Sequence, residues 1–302
     1  MKHIAVLALS LMVLASCGED PAGPDQWPDG AFLYLGSIYP DTALSWSPTG
    51  NVLLFTSYAY SSYCILGFDG ITDPIPVAAS NFDESAGPNG CWSAEQGLIV
   101  YTTYNTDTSS TVRTVPGNLG ALLVVVSDGM DHIHPTWTPD EDSLLICTFD
   151  DGYWGMWKTE YNEDSLLVPE PFYTPQFDCL RPSYSPDGQW ILYEVSYGDR
   201  SDIWMIRPDG TDAHPVIEDD SDNMHPCWGP DASWFAFSSD RSGNYDVWIS
   251  DLDGSQLLQV TEDPGDDIYP AWNPEFGWFV FSSNREDGGD NYDIYSIDAP
   301  DH

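Results

Sequence analysis

Short apolar runs carrying an aromatic residue recur along the chain, each bounded by polar stretches rich in Pro, Gly, Asp and Ser. Trp190-Ile191-Leu192-Tyr193 and Trp278-Phe279-Val280-Phe281 are clear examples. Runs so short, with apolar side chains at consecutive positions, predict strands buried on both faces. A further strand is predicted at Asp202-Ile203-Trp204-Met205, Asp246-Val247-Trp248-Ile249 and Asp293-Ile294-Tyr295-Ser296. Asp69-Gly70, Asp209-Gly210 and Asp253-Gly254 mark tight turns, since Gly takes the positive φ such turns require. Leu257-Leu258-Gln259-Val260 predicts a last strand after the third of these pairs. Helical periodicity is absent, which predicts an all-β chain.

The runs belong to an internal repeat. Aromatic anchors stand at Trp46, Trp92, Trp137, Tyr184, Trp228 and Trp272, spaced 46, 45, 47, 44 and 44 residues apart. Pro follows two residues after five of the six anchors, at Pro48, Pro139, Pro186, Pro230 and Pro274, and Ser185-Pro186-Asp187-Gly188 is the fullest version of this turn. Nine residues after the anchor comes a second aromatic: Phe55, Tyr101, Tyr193, Phe237 and Phe281. The third copy carries Cys147 at ten instead, which predicts one inserted residue in its turn. Four short strands per repeat, six times over, predict a six-bladed β-propeller of four-stranded antiparallel blades over residues 31–302. The sixth copy stops after its third strand, while Ala31-Phe32-Leu33-Tyr34-Leu35 precedes the first copy without a blade of its own. This N-terminal strand is therefore expected to pair beside Asp293–Ile297 and close the ring, leaving no open edge at the seam.

Tyr184-Ser185-Pro186-Asp187-Gly188, followed by an apolar strand and then Asp202-Ile203-Trp204, resembles the WD40-like repeat of TolB-type β-propellers. The match is clearest over 184–210, 228–254 and 272–297 and weakest in the second copy, where Ser93-Ala94-Glu95-Gln96 replaces the turn. The resemblance is to the propeller part of that family alone. It implies a binding or interaction module of the cell envelope.

Charge narrows the partners. With 49 Asp plus Glu against 8 Lys plus Arg the formal charge is −41, a field that repels phosphate backbones and anionic lipid headgroups, so nucleic acid is excluded as a partner. Hydrophobic residues at 42% are too many for a disordered acidic chain. Lys2 and His3 precede the apolar run Ile4–Leu14, too short for a permanent membrane span and suited to an export signal over residues 1–16. Leu14-Ala15-Ser16-Cys17 resembles the lipobox of bacterial lipoproteins, which implies that Cys17 becomes the lipidated first residue of the mature protein. Residues 17–30, rich in Asp, Pro and Gly, then form a flexible tether, and the expected location is the periplasm or cell surface, anchored to a bacterial membrane, the outer membrane foremost.

Equivalent repeat positions become neighbours around a propeller channel. Three residues before each anchor stand Ala43, Asn89, His134, Arg181, His225 and Tyr269. If the first strand lines the channel, Asn89, His134, Arg181, His225 and Tyr269 face one mouth as a mostly polar crown, the candidate ligand site. Asp131, His132, Asp222, Asn223, Asp266 and Asp267 lie just outside it. No His/Asp spacing there matches a metal motif, and the acidic loops 218–222 and 262–267 lack an EF-hand pattern, so calcium ranks behind solvated loop charge and no metal or cofactor is assigned. Recurrence of Asp202, Asp246 and Asp293 in successive blades argues for a structural role. Beyond Cys17 the odd set Cys64, Cys91, Cys147, Cys179 and Cys227 leaves at least one thiol free, and buried, unbonded thiols are expected. No Gly-x-Ser-x-Gly elbow, His-Glu-x-x-His or phosphate-binding glycine loop is present, so a non-enzymic module binding an envelope protein or peptide is expected. The alternative is a carbohydrate-active or metal-assisted enzyme working at the channel mouth through His134, His225 and Arg181.

Overall fold

The computed structural model describes residues 32–35, 41–59, 62–69, 75–78, 85–93, 97–104, 110–116, 123–126, 128–162, 166–286, 289 and 291–300. The expected export signal, Cys17 and the expected tether lie outside the described residues, as does Ala31. The first described strand is β1 (Phe32–Leu35). Blade 1 follows as β2 (Asp41–Trp46), β3 (Leu53–Ala59), β4 (Ser62–Phe68) and β5 (Ile75–Ala78), and blade 2 as β6 (Ser85–Trp92), β7 (Leu98–Tyr104), β8 (Ser110–Pro116) and β9 (Leu123–Val126). Blade 3 is β10 (His132–Trp137), β11 (Ser143–Asp150), β12 (Tyr153–Glu160) and β13 (Glu170–Tyr173); blade 4 is β14 (Asp178–Tyr184), β15 (Ile191–Ser196), β16 (Ser201–Ile206) and β17 (His214–Ile217). Blade 5 is β18 (Asn223–Trp228), β19 (Trp234–Ser239), β20 (Asp246–Asp251) and β21 (Leu257–Gln259). Blade 6 is β22 (Asp267–Trp272), β23 (Trp278–Ser283) and β24 (Asp293–Asp298), with β1 as its fourth strand.

All six sheets are four-stranded and antiparallel, so the expected six-bladed propeller is the fold. The expected closure also holds: β1 pairs with β24 through Phe32↔Ser296, Leu33↔Tyr295 and Leu35↔Ile294. Tyr34 fixes it in place, edge-on to Trp46 and Phe68 of blade 1 and 5.7 Å from Trp278 of blade 6.

Each blade buries both faces against its neighbours, which is why its strands are apolar at consecutive positions rather than alternating. The core therefore lies in the seams. Leu192, Ile203 and Met205 of blade 4 pack on Trp228, Phe235 and Phe237 of blade 5, and Trp234, Ala236 and Val247 of blade 5 pack on Trp272, Phe279 and Phe281 of blade 6. Two of the anchors also hydrogen-bond across the seam. Trp228 Nε1 donates to the Ser183 carbonyl of blade 4 at 2.9 Å, and Trp46 Nε1 donates to the Ala271 carbonyl of blade 6 at 3.1 Å.

The third copy needs a correction. Trp137 pairs with Leu144, as Tyr184 pairs with Ile191 and Trp228 with Phe235, so each anchor faces the residue seven positions later and nothing is inserted. Ile146 holds the place of the second aromatic, and Cys147 opposes Ile133 as Glu194 opposes Leu180. The missing aromatic, not a longer turn, made the copy look shifted.

Candidate functional site

In all six blades the register between the innermost strand and its neighbour slips at the same place: between Thr42 and Ser45, Ala86 and Gly90, Ile133 and Thr136, Leu180 and Ser183, Met224 and Cys227, and Ile268 and Ala271. At this bulge Ala43, His134, Arg181, His225 and Tyr269 take φ of 55°, 51°, 51°, 55° and 54°. None is glycine, and such a backbone costs on the order of 1 kcal/mol per residue. Pro follows four of them and holds the kink. Glu141, Asp151, Asp212 and Ala232 also take positive φ, but only the channel row repeats it in five blades, and there the side chains line the central cavity.

These five residues line one central cavity of about 340 Å³ together with Gly90, and the cavity continues to Pro48 and Pro274 at the turn end of the channel. The row thus sits half-way along the innermost strands rather than at a mouth. Asn89 belongs to β6 at the equivalent position.

The described part of the row is polar and aromatic in blades 3 to 6, with His134, Arg181, His225 and Tyr269, and small in blade 1, with Ala43; the side chain of Asn89 in blade 2 lies outside the described residues. His134 Nδ1 accepts from the Arg181 backbone N–H at 3.4 Å. Arg181 Nη1 donates to both Glu194 oxygens at 3.2 Å, and Glu194 Oε2 also accepts from the His225 backbone N–H at 3.2 Å. The His225 ring stacks on Tyr269 with centroids 3.7 Å apart, and the Arg181 guanidinium lies 5.8 Å from the same Tyr269 ring. Glu194 is the residue that sequence reasoning missed. Ten residues after the anchors stand Thr56, Thr102, Cys147, Glu194, Ser238 and Ser282, so a single carboxylate interrupts a row of hydroxyls and one thiol. Comparing that row across copies would have found it.

Burial holds both imidazoles well below the usual histidine value of 6.5, with the nearby Arg181 charge acting in the same direction. Both rings are therefore neutral at pH 7. For Arg181, burial opposes the charge, but the Glu194 carboxylate outweighs it and keeps the guanidinium protonated. A histidine whose folded pKa is depressed leaves stability intact above the unfolded value; as the pH falls below 6.5 the unfolded chain takes up the proton and stability declines. Between pH 7.5 and 5.5 each histidine is expected to cost about 1.4 kcal/mol. Urea unfolding of a His134→Gln, His225→Gln double variant is expected to lose that share of the acid sensitivity; an unchanged pH slope would contradict neutral rings.

The acids placed just outside the crown are engaged in structure. Asp131, Asp178, Asp222 and Asp266 each lie six residues before an anchor and accept, through Oδ1, the backbone N–H that opens the third strand of the preceding blade: Ser110 at 2.8 Å, Trp154 at 2.8 Å, Ser201 at 2.7 Å and Tyr245 at 3.1 Å. They latch blade to blade. Asp267 pairs with Arg285 at 2.8 Å, Asn223 Oδ1 accepts from Arg241 at 2.8 Å, and His132 bridges Asp128 and Thr148. Asp246 accepts from Ser242, Gln259 and Thr261 within its own blade, a structural role. Among the described residues, no three His, Cys, Asp or Glu side chains gather as a metal ion would require. Cys91, Cys147, Cys179 and Cys227 are unbonded, and burial raises the pKa of each thiol; the Cys64 side chain lies outside the described residues. Cys227 accepts from the Trp272 backbone N–H at 3.2 Å and so bridges a seam.

Residues 178–301 match the family model described as the TolB beta propeller domain. No curated protein matches the chain. Among solved structures it resembles a TolB-designated protein from Agrobacterium tumefaciens, at 18% identity over 88% of this chain and 92% of that one, with a TM-score of 0.68. It also resembles TolB from Acinetobacter baumannii, at 14% identity over 80% of this chain and 59% of that one, with a TM-score of 0.68. An oligogalacturonate lyase from Vibrio parahaemolyticus follows at 11% identity over 90% and 94% of the two chains, with a TM-score of 0.59. Identities this low establish the shared propeller fold.

Proposed function

We propose that the protein is a lipid-anchored, extracytoplasmic propeller that binds a protein or peptide of the cell envelope in its central channel. Cys17 carries the lipid, and residues 17–30 tether the ring to the membrane on its periplasmic or outer surface. The observation that carries this reading is the polar cluster in the channel wall. In a ring of repeated parts, Arg181, Glu194, His225 and Tyr269 form an arrangement made once, beside a central cavity of about 340 Å³. Catalytic sites and binding sites alike are built once. A wall of neutral imidazoles, a stacked phenol and an already paired guanidinium offers hydrogen bonds and ring surface without an activated nucleophile, which suits binding.

A photoreactive amino acid at Ala43, in the cavity wall, is expected to give a discrete adduct with one envelope protein in intact cells. Tyr269→Ala, which removes ring surface and leaves Arg181 with its partner Glu194, is expected to abolish the adduct. An adduct unaffected by Tyr269→Ala would remove the cavity from the interaction. The carbohydrate-active or metal-assisted alternative predicts instead stoichiometric transition metal in the purified protein, lost in a His134→Ala, His225→Ala variant.

A further inference from the structure

A second surface lies at the opposite end of the ring, where the loops between second and third strands gather. In blades 5 and 6 the thirteenth residue after the anchor is an arginine. Arg241 lies 5.3 Å over Phe237 and 5.0 Å over Trp248, and Arg285 lies 5.1 Å over Phe281 and 4.8 Å over Tyr295. The fold therefore seats a guanidinium on aromatic rings twice at this position. In blades 3 and 4 the same position is Asp150 and Tyr197. Close by, at positions other than those that seat Arg241 and Arg285, the rings of Phe149, Tyr153 and Tyr197 are 43%, 42% and 43% exposed.

The open rings are part of a larger platform over the seam between blades 3 and 4. Phe149 packs on Trp154 with centroids 5.3 Å apart, and Phe177 packs on Trp204 at 5.8 Å. Asp178 joins the two pairs by accepting from the Trp154 backbone N–H. Carboxylates surround them. Asp150, Asp151 and Asp199 are exposed, while the nearby Arg200 is held by the Asp219 carbonyl and lies over Tyr197. An aromatic platform with an excess of negative charge attracts cations both through the ring faces and through the field.

We propose that this loop face over blades 3 and 4 binds a basic, arginine- or lysine-bearing segment of a partner polypeptide, whose cationic side chains stack on the exposed rings. The platform is separate from the channel cavity, and the proposal stands whether or not that cavity is occupied.

The test uses the chain from Gly18 onward, which retains every described element. A fluorescein-labelled octapeptide of alternating Gly and Arg is titrated at physiological ionic strength, with the matching Gly-Gln peptide as control. Saturable binding of the Arg peptide is expected, weakened at least about fivefold in a Phe149→Ser, Tyr153→Ser, Tyr197→Ser variant that leaves the net charge unchanged. Undiminished binding in that variant would mean attraction by charge alone and would overturn the proposal. Equal binding of the Gln peptide, or no binding of either, would overturn it too. If the triple variant unfolds at a lower temperature than the parent, Tyr153→Ser alone, at a hairpin tip, carries the same comparison with a smaller expected loss.

Discussion

A chain that begins at residue 36 is expected to melt about 10 °C below one that begins at Gly18 and to aggregate on concentration. The shorter chain lacks β1, so blade 6 has three strands and the edge of β24 faces solvent. It also loses Tyr34, whose ring is packed among Trp46, Phe68 and Trp278 across the seam where the ring closes. Burial of one large aromatic contributes about 3 kcal/mol, and the lost strand pairing adds to it. A loss near 5 kcal/mol corresponds to roughly 10 °C for a chain of this size. Tyr34→Ala in the longer chain isolates the packing share. Calorimetric midpoints that coincide for the two chains would show that β1 contributes nothing to closure.

Arg285→Ala is expected to destabilise the protein by about 3–5 kcal/mol in urea unfolding, because it strands a carboxylate in the interior. Arg285 and Asp267 both have side chains at 0% exposure, 2.8 Å apart. Burial raises the Asp267 pKa while Arg285 opposes that rise, so the carboxylate depends on its partner to stay ionised. Replacing both, as Asp267→Asn with Arg285→Met, is expected to recover most of the loss, since the Asp267 charge is then removed along with its partner. Arg241→Ala is the internal control. Its side chain is 14% exposed, its hydrogen-bond acceptor Asn223 is neutral, and its ion pair to Asp219 is at the surface, so the expected cost is about 1–2 kcal/mol. Equal effects of the two arginine substitutions would refute the role given to burial.

The channel row was legible because a propeller turns equal sequence spacing into proximity: three residues before each anchor is the same height on every innermost strand. Its depth was not legible. A β-bulge depends on how two strands register, and the Pro after His134 or His225 reads equally well as the approach to a strand. Asp222 and Asp266, six residues before their anchors, read as solvated loop charge for a similar reason, and Asp131 and Asp178 gave no sign of a partner. Their partners are backbone N–H groups, which no sequence displays, on a blade about 20 residues upstream.

Fold, blade number and the closing strand followed from the sequence alone, because each rests on local strand patterning repeated at a fixed period and on one unpaired segment at each end. Tertiary structure alone decided how deep in the channel the polar row sits, that Glu194 holds Arg181 and accepts from the His225 backbone, and that exposed aromatic rings gather over one seam. Those features arise between blades, from single departures from the repeat, and a departure acquires meaning only when its neighbour across the seam is known.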